Sequence, residues 1–259
     1  LKMSKKNRTK NQNTSVKNKT AVSIEAIIQQ STTLFQQGKT KEALTLSQQA
    51  FKQFPNNALL ISNAAAFAMI IGDNNTALNY FQKALKIDST NSEMHNNLGQ
   101  LYANLNRFID AKKSFNIAIK LKPTFVEAYF NLGCIEEQQN QFLAAEASFK
   151  KAIKYNPNHF QSLARLATLL INQQRFSNAI EPYRNIIRLQ PNNAELHNNL
   201  GLLYAEVNQL IDAEHCYQKA LSINPTYSLV YYNLGVLYTN LNRFQDAEKS
   251  YKKAIEIDC

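Results

Sequence analysis

Residues 194–227 read AELHNNLGLLYAEVNQLIDAEHCYQKALSINPTY, and this stretch recurs head to tail every 34 residues. Gly99 plus 34 is Gly133, Gly201 plus 34 is Gly235, and Pro123, Pro157, Pro191 and Pro225 step by the same 34. A fixed period of this length marks a chain built from stacked supersecondary units rather than around one globular core. Numbered from the residue six before the Leu-Gly pair, the units are 24–57, 58–91, 92–125, 126–159, 160–193, 194–227 and 228–259.

The chemistry of one unit predicts two helices and a turn. Leu98, Tyr102 and Leu105 fall at helical spacing and give a first helix, A, an apolar face. Ala111, Phe115, Ala118 and Ile119 do the same for a second helix, B. Small residues at positions 8, 20 and 27 let the helices approach closely, and position 24 is usually aromatic. Position 15 holds Gly38, Gly72, Asn106, Asn140, Gln174, Asn208 and Asn242. Gly and Asn tolerate the left-handed conformation that ends a helix, which puts the turn here. Position 32 is proline in five units and stops helix B, because proline has no N–H to donate. All six glycines fall at position 8 or 15, leaving none for a phosphate-binding loop.

The L-G…Y…A…F…A…P spacing resembles the tetratricopeptide repeat (TPR) family, and the resemblance covers residues 24–259. It implies an all-α, right-handed superhelical solenoid of seven helix-turn-helix hairpins. Its concave groove would be lined by the A helices and would bind peptides or protein partners.

Charge is uneven along the chain. Residues 1–23 carry Lys2, Lys5, Lys6, Arg8, Lys10, Lys17 and Lys19 with no acid, leaving 22 basic and 19 acidic residues in the repeats. A segment so polar cannot bury enough surface to offset its ordering entropy, so it is expected to be a disordered, solubilising tail. Binding of nucleic acid or an anionic surface through it is a lesser alternative: it has no aromatic side chain on which a base could stack. No apolar run is long enough to span a membrane, and the N-terminal residues lack the apolar stretch of a secretory signal. Three cysteines, Cys134, Cys216 and Cys259, lie far apart and outside metal-ligand spacing, which points to a reduced, cytoplasmic chain.

Several units depart from the pattern. In the first, Gln30 and Ser31 replace Leu-Gly, as expected of a capping repeat whose outer face meets water. The fourth has Glu136 where tyrosine is usual, and the fifth has Leu166-Ala167 for Leu-Gly. Pro182 falls inside the fifth helix B, where a bend near Asn178–Pro182 is expected. In the last unit, Ala247, Tyr251 and Ala254 are expected to lack a neighbour and to pack against a further segment or a partner chain.

No metal, cofactor or small-molecule motif is present, and no catalytic constellation. His95 and His197 occupy position 4, a packing position, and Cys134 is expected to be an unreactive thiol. The sharper signal is position 6, which reads Gln29, Asn63, Asn97, Asn131, Arg165, Asn199 and Asn233. A carboxamide both donates and accepts, so one per unit can hydrogen-bond an extended peptide backbone whatever its sequence. The column is similar to the asparagine ladder in the repeats of O-linked N-acetylglucosamine transferase. Arg165 interrupts it and is expected to select an acidic side chain. The first reading is therefore a non-catalytic scaffold that binds a protein or peptide. The alternative is the substrate-recognition arm of a larger glycosyltransferase-like enzyme.

Overall fold

The computed structural model describes residues 23–258, which form fourteen α-helices and no strand. The basic segment, apart from Ser23, lies outside the described residues, as does Cys259. The chain divides after Ser89 into two compact units. The first holds α1 (Ile24–Gln36), α2 (Thr40–Gln53), α3 (Ala58–Ile70) and α4 (Asn74–Ile87). The second holds α5 (Ser92–Asn104), α6 (Phe108–Leu121), α7 (Val126–Gln138), α8 (Phe142–Tyr155), α9 (Phe160–Asn172), α10 (Phe176–Leu189), α11 (Ala194–Glu206), α12 (Leu210–Ile223), α13 (Ser228–Asn240) and α14 (Phe244–Asp258). Each is an all-α solenoid of helical hairpins.

Every hairpin turns by the same device. Asn106, Asn140, Gln174, Asn208 and Asn242 adopt φ between 57° and 60°, and Gly38 and Gly72 adopt 78° and 84°. After α5, Asn106 N–H donates to Ala103 C=O at 2.9 Å and Arg107 N–H to Tyr102 C=O at 2.8 Å. This is the Schellman pairing, which satisfies carbonyls that the helix end would otherwise orphan.

Inside four of the hairpins the glycine at position 8 meets the ring at position 24. A Cβ placed on Gly99 would lie 2.6 Å from Phe115, and one on Gly201 2.6 Å from Tyr217. Glycine there lets A and B close over the aromatic. Ala77, Ala111, Ala145, Ala179 and Ala213 are fully buried at position 20 and let neighbouring helices approach. The fifth hairpin differs: Ile186 replaces alanine at position 27 and is buried.

Two expectations change, at Ser31 and at the last hairpin. Ser31 does not meet water; it is fully buried, as is Ser47, which stands where later units carry an aromatic. Ser31 satisfies its hydroxyl by donating to Ile28 C=O at 2.9 Å, whereas the Ser47 hydroxyl has no partner. Helix α10 continues through Pro182, which is buried beside a cavity of about 250 Å³. Ala247 and Ala254 are not left open, since they are 4% and 8% exposed, and the Tyr251 ring lies over Gly235 of α13. The apolar surface exposed in that hairpin is instead Leu229, Tyr232, Val236, Phe244 and Ile255.

Candidate partner-binding face

The position-6 side chains lie on the A helices. In the first unit Asn63 sits half-buried on α3. In the second compact unit α5 touches α7 and α11 touches α13, and Arg165 of α9 reaches Glu137 of α7. These A helices carry Asn97, Asn131, Arg165, Asn199 and Asn233, of which the four asparagines are half-buried and Arg165 is exposed.

Two pairs of hairpins cross-link their carboxamides in the same way. Asn131 Nδ2 donates to Asn96 Oδ1 at 3.0 Å, and Asn96 Nδ2 reaches Asn97 Oδ1 at 3.5 Å. Asn233 Nδ2 donates to Asn198 Oδ1 at 2.9 Å, and Asn198 Nδ2 reaches Asn199 Oδ1 at 3.4 Å. The relay needs asparagine at both positions 5 and 6. Asn96 and Asn198 are the position-5 members, and both are buried. Where position 5 is Phe130 or Ala164 there is no carboxamide to receive the next hairpin's group. One amide hydrogen of Asn131 and of Asn233 is thus spent inside the protein, while the carbonyl oxygen and a second N–H of each make no hydrogen bond among the described residues. Fixing a carboxamide in advance lowers the ordering cost of binding through it.

Arg165 is held differently. Its Nη1 lies 3.5 Å from Glu137 Oε2 on the preceding A helix. The guanidinium is therefore partly neutralised, which weakens any pull on an acidic side chain. Between α11 and α13 a cavity of about 490 Å³ opens on this face, lined by Leu202, Glu206, Tyr232, Asn233, Val236 and Asn240. Leu202, Tyr232 and Val236 are exposed apolar side chains there, and Asn233 stands among them. Apolar walls around a placed carboxamide suit an extended peptide, which offers side chains and unpaired backbone groups together.

The remaining candidates are structural. His197 Nε2 bonds the Pro191 carbonyl at 3.0 Å, as Tyr129 and Tyr231 bond the Pro123 and Pro225 carbonyls from the same repeat position. Burial pushes the Cys134 thiol up to about 11, although Arg165 pulls against it, so little thiolate forms near neutral pH. Glu136 is buried, accepts from Ser148 Oγ at 2.6 Å and faces Lys112 Nζ at 3.8 Å. Among the described residues no cluster of His, Cys, Asp or Glu can hold a metal, and no helix is long and apolar enough to cross a membrane.

Sequence reasoning located the position-6 column but not the buried position-5 asparagines that orient it. The available signal was the Asn-Asn dipeptide at 96–97 and 198–199, each followed 35 residues on by Asn131 or Asn233.

Residues 7–258 match the family of the cilia and flagella-associated protein 70 C-terminal domain. No curated protein matches the chain. Among solved structures, PilF of Pseudomonas aeruginosa is 24% identical with a TM-score of 0.64, over 80% of this chain and 94% of that one. YrrB, described as a TPR protein with an unusual peptide-binding site, is 21% identical with a TM-score of 0.57, over 68% and 91%. A tetratricopeptide repeat protein from Parabacteroides merdae is 20% identical with a TM-score of 0.56, over 90% and 92%. At these identities the likeness shows the shared fold.

Proposed function

Since the chain belongs to the cilia and flagella-associated protein 70 C-terminal domain family, we propose that it is a non-catalytic scaffold that receives an extended peptide segment of a protein partner on its helix-A face. The observation that carries this reading is the paired carboxamide relay, Asn131 on Asn96 and Asn233 on Asn198, beside the cavity between α11 and α13. Peptide binding by the structurally similar YrrB supports it. Asn97 and Asn199 extend the same chemistry, Asn63 offers the same group within the first compact unit, and Arg165, tethered to Glu137, fixes register more than charge preference. A cytoplasmic setting goes with this reading, supported by free thiols at Cys134 and Cys216.

Neutral hydrogen bonds contribute roughly 0.5–1.5 kcal/mol each, and association takes several kcal/mol back. The affinity for one segment is therefore modest, and several carboxamides must act together. The test is affinity purification with the intact chain and with an Asn97→Ala, Asn131→Ala, Asn199→Ala, Asn233→Ala variant of unchanged helicity. The partners recovered by the intact chain should be lost from the variant. Recovery of the same proteins in the same amount by both would end this assignment.

A further inference from the structure

A second cavity, away from the carboxamide face, carries a different chemistry. It holds about 440 Å³ between α10, α11 and α12 and is lined by Arg184, Arg188, His197, Tyr204, His215 and Lys219, with Asp212 as its one carboxylate. Ile187, Leu200 and Cys216 form its apolar part.

The same place one repeat earlier is a control within the molecule. The cavity beside Pro182 is lined by Lys150, Leu163, Leu170, Asn178, Glu181 and Asn185, together with Ile153, Leu166 and Pro182. Stepping each residue forward by 34 gives the lining of the larger cavity except Arg188, whose counterpart Lys154 does not line the earlier one: Lys150 becomes Arg184, Leu163 becomes His197 and Leu170 becomes Tyr204. Glu181 becomes His215, Asn185 becomes Lys219 and Asn178 becomes Asp212. The earlier cavity balances one cation with one carboxylate. The later one sets three permanent cations against one carboxylate and adds two imidazoles and a phenol. Repeat geometry creates both spaces, so the concentration of donors in one of them is a property of its side chains.

His197 is taken up by the Pro191 carbonyl, at 3.0 Å, but the three cations keep most of their hydrogen-bonding capacity. Arg184 and Arg188 stand 4.0 and 3.9 Å from Glu181, the limit of an ion pair, with all three side chains more than half exposed. Arg188 Nη1 also donates to Asn185 Oδ1 at 2.7 Å, and the Arg184 guanidinium lies 5.9 Å from the Tyr204 ring. Lys219 makes no ion pair among the described residues. Two planar guanidinium forks and an ammonium around a space of this size suit a tetrahedral, doubly charged group better than a single carboxylate.

We propose that the cavity between α10, α11 and α12 is a phosphomonoester-binding site, with Arg184, Arg188 and Lys219 as its charged ligands and the Tyr204 hydroxyl and His215 as further donors. The group can arrive on a phosphorylated side chain of a partner or as free phosphate. The site is independent of the peptide face, because it shares no residue with it.

The test is isothermal titration of the intact chain with three probes: inorganic phosphate, an acetylated five-residue phosphoserine peptide, and the same peptide unphosphorylated. Saturable binding of phosphate or the phosphopeptide, with none of the serine peptide, is expected. Arg184→Ala with Arg188→Ala, both at exposed positions, should weaken it at least about tenfold, as expected for losing charge-assisted bonds. Asn131→Ala with Asn233→Ala should leave it unchanged. Phosphopeptide binding tenfold tighter than phosphate identifies a protein partner as the source, and equal binding identifies free phosphate. Failure of both phosphate probes to saturate at 10 mM, or affinity unaltered in the double arginine variant, would overturn the site. Loss of binding in the double asparagine variant would overturn its independence.

Discussion

Asn233 reaches back to the preceding hairpin to donate its amide hydrogen to Asn198 Oδ1 at 2.9 Å, and Asn198 in turn faces its own neighbour Asn199 at 3.4 Å. Asn198 is 1% exposed, so it has no access to water in exchange for these bonds. Asn198→Ala removes the acceptor and leaves Asn233 half-buried and under-bonded. A buried polar group left without its partner costs about 1–3 kcal/mol. Asn199→Ala removes only the weaker bond at a half-buried site. Urea unfolding should therefore show Asn198→Ala with the clearly lower midpoint. Equal midpoints for the two variants would mean the relay contributes nothing to stability.

The contact of Gly133 with Phe149 sets a second prediction. A Cβ on Gly133 would come within 2.7 Å of the Phe149 ring, which is fully buried. Gly133→Ala should lower stability by roughly 1–3 kcal/mol through overpacking. The second and fifth hairpins show the cost is bounded, because position 8 is alanine there, Ala65 and Ala167, both buried. Adding Phe149→Leu should recover part of the loss in a thermal melt. No recovery would place the strain in the backbone instead of the ring.

The hairpins were legible because their signals are local. Asn106 and Gly72 announce a left-handed turn by residue type alone, and the Ala and aromatic positions repeat in register. What was not legible depends on which helices meet. Ser31 reads as a polar substitution for water, yet without an aromatic at Ser47 the hairpin interior closes over both serines. Arg165 reads as a free cation until Glu137, on another helix, is seen 3.5 Å away. The buried Asn96 and Asn198 read as part of an Asn-rich chain, since only the stacking of hairpins reveals that each receives a carboxamide from 35 residues further on.

Ser47 offers a stabilising change. Its hydroxyl is fully buried and has no hydrogen-bond partner. Burying an unpaired hydroxyl costs about 1–3 kcal/mol, and alanine removes the group at little loss of volume. Ser47→Ala should raise the melting temperature of the chain. A lowered one would show that the hydroxyl finds a partner in solution.

The pairing of Glu146 with Arg175 predicts a pH dependence. Arg175 Nη2 donates to Glu146 Oε1 at 3.2 Å, Nη1 to Oε2, and Lys150 Nζ donates to Oε1 at 2.7 Å. The hydrogen bond from Arg175 holds the Glu146 carboxyl below the usual carboxylate range, against the opposing effect of burial. A carboxyl depressed in the folded state adds stability that is fully present above its unfolded value, about 4.3 for glutamate, and is lost as pH falls through the folded value. Glu146→Gln keeps the shape and removes the charge. At neutral pH it should unfold at lower urea than the parent chain, and the gap should close as pH drops below about 4, where the parent carboxyl takes up its proton. Urea midpoints of both chains from pH 7 down to pH 3 measure this. A gap that stays constant across the range would show that the ion pair with Arg175 adds no pH-dependent stability.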